Sequence, residues 1–143
     1  MTDGFTITRE FRAPRERVYE AWTTPAQFAR WFGGAASEVP VETVSMDVRV
    51  GGTWRARMFA GPDRYEINWF GEFTEIEPPA RLVLTLSDGP AEGEPVTVEL
   101  TEADRVTTMV MTQSGGHLTP EQYEGAEAGW QTFFDVMREL VEA

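Results

Sequence analysis

The sequence predicts an α+β fold: a strongly bent seven-stranded antiparallel sheet around one long C-terminal helix, with two short helices between the first and second strands. Three observations carry this. An apolar stripe at helical spacing fills residues 119–142, and alternating segments fill most of the chain before it. The breaks between those segments are short and turn-rich, which requires antiparallel neighbours. One helix cannot cover seven strands of a flat sheet, so the sheet must wrap the helix, and the two short helices close one end.

The elements follow in order. "FTITREF" (5–11) places Phe5, Ile7 and Phe11 in one phase and reads as a strand. "APRERVYEAW" has Pro14 suited to a first helical turn and Val18, Ala21 and Trp22 at helical spacing. "TPAQFARWFGG" pairs Thr24 with Gln27 at capping-box spacing, puts Pro25 at the first helical position and offers Gly33 and Gly34 as a stop. Strands are expected at 41–49, 53–59, 65–76, 81–87, 95–101 and 106–113. The break at 87–95 is the longest, acidic and poor in apolar residues, and is expected to be the most mobile. The last helix begins at "TPEQ", where Thr119, Pro120 and Gln122 repeat the capping arrangement.

Register follows from alternation, because a one-residue slip would turn every side chain to the wrong face. Placing Met58 near Ile67, Ala56 near Trp69 and Trp54 near Gly71 keeps the apolar sets together and leaves "GPDR" as a four-residue turn. Val44, Met46 and Val48 are expected inward on the second strand, and Met109 and Met111 on the last.

The 143 residues suit one domain spanning 1–143, and 41% hydrophobic residues supply a core. The absence of cysteine removes disulfides, thiolate nucleophiles and cysteine metal sites, and the single histidine, His117, argues against a histidine metal site. No metal or other cofactor is expected. "VGGTW" lacks the lysine and following helix of a phosphate loop and reads as a tight turn. A net charge of −12 argues against nucleic acid and against an anionic membrane surface as partners. The N-terminal segment lacks a signal-peptide pattern and no apolar run approaches a membrane span, so a cytoplasmic protein, monomer or homodimer, is expected.

The last helix poses a question. Gly125 and Gly129 lie among Trp130, Phe133, Phe134 and Met137, although each interior glycine costs a helix about 1 kcal/mol relative to alanine. Four residues apart, they share one side of the helix. They either let it approach the sheet closely or leave room for a ligand. Close approach is expected at Gly129 and an open edge at Gly125. A bent sheet that does not fully interdigitate with the helix leaves a cavity; the alternative is a solid core.

The stretches "APRERVYEAWTTPAQFARWFG", "VGGTWRARM", "GEFTEIEPPARL" and "GAEAGWQTFFDVM" together resemble the helix-grip superfamily of START lipid-transfer domains, birch pollen allergens and polyketide cyclases, often called SRPBCC. Within it the chain resembles the branch homologous to the C-terminal domain of the activator of the 90-kDa heat shock protein ATPase. The resemblance implies a START-like fold with an internal cavity for a small apolar or amphipathic molecule. It implies no shared catalytic motif.

Residues expected to line such a cavity are Trp54, Met58, Ile67, Trp69, Phe73, Met109, Met111, Trp130, Phe134 and Met137, since methionines and aromatics suit an adaptable apolar pocket. Candidate polar anchors are Arg9 and Glu75, which fall in the inward phase of their strands, together with Tyr65 and His117. Each has a blander reading that is preferred for Arg9, Glu75 and His117: a structural ion pair for the first two and a solvated loop for the histidine. No residue is assigned a catalytic role. Binding of a small hydrophobic or amphipathic molecule leads; a polyketide cyclase or aromatase-like enzyme using the same cavity is the alternative, marked by a polar cluster inside the pocket. A chaperone-activator-like interaction module is third.

Overall fold

The computed structural model describes residues 4–89 and 93–143. Among these residues three α-helices and eight strands occur in the order β1 (Gly4–Phe11), α1 (Arg15–Thr23), α2 (Pro25–Trp31), β2 (Ser37–Glu38), β3 (Ser45–Met46), β4 (Thr53–Ala60), β5 (Tyr65–Glu77), β6 (Arg81–Leu86), β7 (Glu94–Ala103), β8 (Val106–Ser114) and α3 (Pro120–Val141). The strands form one antiparallel sheet in the order β1-β8-β7-β6-β5-β4-β2, with β3 also on β4. The 87–95 break, expected to be mobile, contains residues 90–92, which lie outside the described residues.

The β4–β5 register is the expected one: Met58 faces Ile67, Ala56 faces Trp69 and Trp54 faces Gly71. Trp54, Ala56 and Met58 are buried while Arg55 and Arg57 are exposed, so alternation sets the faces. Met109 and Met111 are fully buried on β8. The fit at Gly71 is tight, because a Cβ there would run into the Thr85 carbonyl and lie 2.7 Å from Trp54 Nε1.

α3 starts with the expected capping box: Thr119 Oγ1 accepts from the Gln122 amide at 3.1 Å, and the Thr119 amide donates to Gln122 Oε1 at 2.9 Å. Its buried stripe is Tyr123, Trp130, Phe134, Met137 and Val141, and the last four join the hydrophobic core. α1 and α2 bring Trp22, Phe28, Trp31 and Phe32 against it, with ring centroids 4.7 Å apart for Trp22 and Trp31 and 6.0 Å for Trp31 and Phe134. Trp31 Nε1 donates to the Ala21 carbonyl at 2.8 Å, so this indole is buried with its polar atom satisfied.

Four expectations about the elements and their faces are corrected, apart from those on individual site residues. The expected strand 41–49 is mostly turn: Val41–Thr43 form a 3₁₀ turn after Pro40, only Ser45–Met46 pair with β4, and Val48 is exposed. The chain then folds back over Gly51 and Gly52, which exchange backbone hydrogen bonds with Phe73. In place of the seven strands expected, the described residues form six long strands plus two short pieces that cover the outer edge of β4. Thr24 makes no side-chain cap, and Gln27 instead donates to Glu20 at 2.8 Å. The phase of β5 reverses at a bulge between Phe73 and Glu75, so Phe73 and Ile76 face the core and Glu75 faces solvent. The fourth concerns Gly129 and belongs to the site.

Candidate functional site

A pocket of about 410 Å³ opens between the first half of α3 and the β4–β5 hairpin. Gly125, Ala126, Gly129, Trp130 and Phe133 form its helix wall; Met58, Ala60, Tyr65, Ile67 and Trp69 form its sheet wall. Phe32 and Ser37 close one side, and Leu86, Ser87, Asp88, Glu94, Gln113, His117 and Leu118 complete it. A Cβ added to Gly125 or Gly129 would meet nothing within 4 Å. The close approach expected at Gly129 is thus absent. Trp130 and Phe133 find their space elsewhere, against Phe32 (5.9 and 5.5 Å between centroids), which leaves the glycine side of α3 bare.

The pocket has one polar end, built around Glu94. This carboxylate is 5% exposed and heavily bonded. Its Oε2 accepts from Tyr123 Oη at 3.1 Å, from His117 Nδ1 at 2.9 Å and from the His117 amide at 3.3 Å. Its Oε1 accepts from Gln113 Nε2 at 3.3 Å. The amide of Gln113 is oriented by Trp130, whose Nε1 can only donate and does so to Gln113 Oε1 at 2.8 Å. Tyr123 Oη in turn accepts from the Gly116 amide at 2.7 Å. Burial, reinforced by the hydrogen bond to Glu94, pushes the Tyr123 phenol above its ordinary pKa.

The "SGGH" loop after β8 makes this packing possible. Gly115 has φ of 127°, and a Cβ there would collide with the Glu94 carboxylate and lie 3.0 Å from His117 Nδ1. Only glycine lets the loop fold over the carboxylate and deliver the His117 ring to it.

Of the residues expected from sequence, Met58, Ile67, Trp69, Trp130, Tyr65 and His117 come together around the pocket. Trp54, Phe73, Met109, Met111, Phe134 and Met137 do not; they are buried in the packed core beside it. Arg9 binds α3 from outside the pocket, donating to Gln131 Oε1 at 2.7 Å and to Asp135 at 2.8 Å. Glu75 joins an outer-face ladder, with Arg81 3.0 Å from Glu75 and 2.8 Å from Glu99. The Arg81 guanidinium lowers the Glu75 pKa by hydrogen bonding. His117 is not a solvated loop residue, since it is held against a buried carboxylate. Glu94, Gln113 and Tyr123 are the polar residues that sequence reasoning missed. Alternation held the signal: Gln113 is in phase with Met109 and Met111, and Glu94 with Val96, Val98 and Leu100.

Comparison with known proteins agrees with this architecture. The solved structure of a Chromobacterium violaceum protein superposes with a TM-score of 0.89 at 25% identity, covering 100% of this chain and 99% of that one. An AHSA1-like protein from Aeromonas hydrophila gives 0.76 at 28% identity, with coverage of 96% and 92%. The AHSA1 protein from Silicibacter pomeroyi gives 0.83 at 18% identity, with coverage of 95% of each chain. No curated protein matches the sequence. The family described as Activator of Hsp90 ATPase homolog 1-like protein matches residues 12–142, and with that match running almost end to end through the helix, the wrapped sheet and the pocket loops, the chain belongs to this family.

Proposed function

We propose that the chain binds a small hydrophobic or amphipathic molecule in the pocket between α3 and the β4–β5 hairpin. The observation that carries the reading is the bare side of α3. Two interior glycines cost the helix about 2 kcal/mol together, yet neither serves close packing, since a Cβ on either would stand in open space beside the cavity. About 410 Å³ falls in the range of small-molecule sites, and apolar walls with a few convergent polar groups are their usual composition. The net charge of −12 favours a small molecule over nucleic acid or an anionic membrane as partner.

The test is binding of Nile red, a neutral environment-sensitive dye, to the native protein and to Gly129→Leu, whose side chain grows into the cavity. The native protein is expected to bind and the filled variant to lose binding while keeping its cooperative melt. No binding to either, or equal binding to both, overturns the reading. Native followed by denaturing mass spectrometry of the purified protein would identify any molecule carried through purification.

A second reading, an enzyme of the cyclase or aromatase kind, draws on one observation: Glu94, His117 and Gln113 stand hydrogen-bonded together in the pocket lining. A histidine held by a buried carboxylate is a common arrangement for proton transfer. This reading predicts that His117→Gln abolishes conversion of a poly-β-carbonyl substrate while leaving its binding intact. A role as an interaction module related to chaperone activation rests on family membership alone.

A further inference from the structure

We infer that the pocket takes a hydrophobic amine, its ammonium group attracted by the aromatic lining and by the carboxylates of Glu94 and Asp88. The inference rests on the binding reading above and adds the chemistry of the head group. Five aromatic side chains line the cavity: Phe32, Tyr65, Trp69, Trp130 and Phe133. Phe32 ties three of the others together, with ring centroids 6.1 Å from Trp69, 5.9 Å from Trp130 and 5.5 Å from Phe133, while Tyr65 stands exposed at the edge. Aromatic faces carry negative electrostatic potential and attract organic cations within about 6 Å of a ring centroid, most strongly where water is excluded.

The charges point the same way. Two carboxylates line the pocket, Glu94 buried at its polar end and Asp88 exposed at its edge, and no arginine does so among the described residues. His117 lies 2.9 Å from Glu94, so its protonation would at most cancel the Glu94 charge and leave that of Asp88. The described pocket lining as a whole is therefore net negative in either state of the histidine. Glu94 already accepts hydrogen bonds from Tyr123, Gln113 and His117, so it acts on a ligand through its field more than as an open acceptor. A carboxylate-bearing amphiphile such as a fatty acid would bring a like charge beside the buried Glu94 carboxylate, with no guanidinium to receive it among the described lining residues. An ammonium meets the opposite situation.

The experiment is isothermal titration calorimetry at neutral pH with three probes of one skeleton: phenylbutylamine, phenylbutanol and phenylbutyrate. The amine is expected to bind tightest and the carboxylate weakest, with about tenfold or more between them, a difference equivalent to about 1.4 kcal/mol. Asp88→Asn, an exposed substitution that should not disturb folding, should weaken the amine several-fold and leave the alcohol unchanged. Gly129→Leu should lose the amine. If the alcohol binds and the amine binds no better than the carboxylate, the head-group assignment falls while the pocket reading stands. Undiminished amine binding by Gly129→Leu would mean attraction to the acidic surface, which also overturns the assignment. If none of the three binds, the pocket reading fails and takes the assignment with it.

Discussion

Gly129→Ala separates an open pocket wall from a packed contact. In a packed contact the new methyl would overfill the core and destabilise the fold by about 1–3 kcal/mol. Here the methyl meets nothing within 4 Å, so the steric term vanishes and helix propensity remains. Alanine is preferred to glycine in a helix interior by about 1 kcal/mol, which the variant should gain nearly in full. With a urea dependence of about 1–3 kcal/mol per M, the unfolding midpoint should rise by about 0.3–1 M. The same methyl projects into a cavity of about 410 Å³ and should weaken ligand binding several-fold. Gly71→Ala is the opposite case, because its Cβ would overlap the Thr85 carbonyl. That variant should lose at least about 1–3 kcal/mol. Urea melts monitored by tryptophan fluorescence read both. Destabilisation of Gly129→Ala by 1 kcal/mol or more, on the order of an overpacked core, would refute the open-wall geometry.

Other outcomes follow from single polar groups. The Tyr19 hydroxyl is buried without a hydrogen-bond partner among the described residues, so Tyr19→Phe should stabilise the fold by about 1 kcal/mol; a loss of that size would show the hydroxyl to be bonded. Tyr123→Phe strips a partner from both Glu94 and the Gly116 amide and should cost about 1–3 kcal/mol at neutral pH in the same melts. Because the folded Tyr123 pKa is raised, its neutral form supports the fold below the unfolded tyrosine value, and that support is lost as pH rises through the folded value; the phenylalanine variant should lack this part of the alkaline decline. The folded Glu75 pKa is lowered by Arg81, so its contribution is present above the ordinary carboxylate value and lost as pH falls through the lower folded one. Arg81→Gln should flatten that acid limb, and an unchanged slope would mean that the ladder does not hold the Glu75 proton off.

What could be read in advance divides along physical lines. The β4–β5 register was legible because a period of two admits no half-step, and Trp54, Ala56 and Met58 on one side of Arg55 and Arg57 leave one solution. The α3 cap was legible because Thr119, Pro120 and Gln122 act locally. Glu75 was misplaced because a bulge at Thr74 has no pattern of its own and inverts every later residue of the strand. The segment 41–49 alternates well enough to suggest a strand, but Pro40 and the Gly51–Gly52 turn bend it away from the sheet on both sides. The pocket was half legible. Its apolar walls came from strand phase, whereas core and cavity residues share that phase and differ only in what packs over them. Trp54 is covered by Phe28 and Phe32, and Phe73 and Met109 are packed in the core, whereas Met58, Ile67 and Trp69 border the pocket beside the bare side of α3. Glu94 and Gln113 had the inward phase too, but their acceptability inside depends on partners from β8, α3 and the "SGGH" loop, which no local pattern brings together.

The five tryptophans offer the most direct test of where a ligand sits. Trp69 and Trp130 line the pocket, while Trp22, Trp31 and Trp54 are packed in the core. Each indole N–H gives its own signal in a nitrogen–proton correlation NMR spectrum. On titration with phenylbutanol, a neutral probe, the Trp69 and Trp130 signals should move most and saturate together, with Trp31 and Trp54 nearly still. Uniform movement of all five, or movement of the core indoles with Trp69 and Trp130 unmoved, would contradict a binding site between α3 and the β4–β5 hairpin.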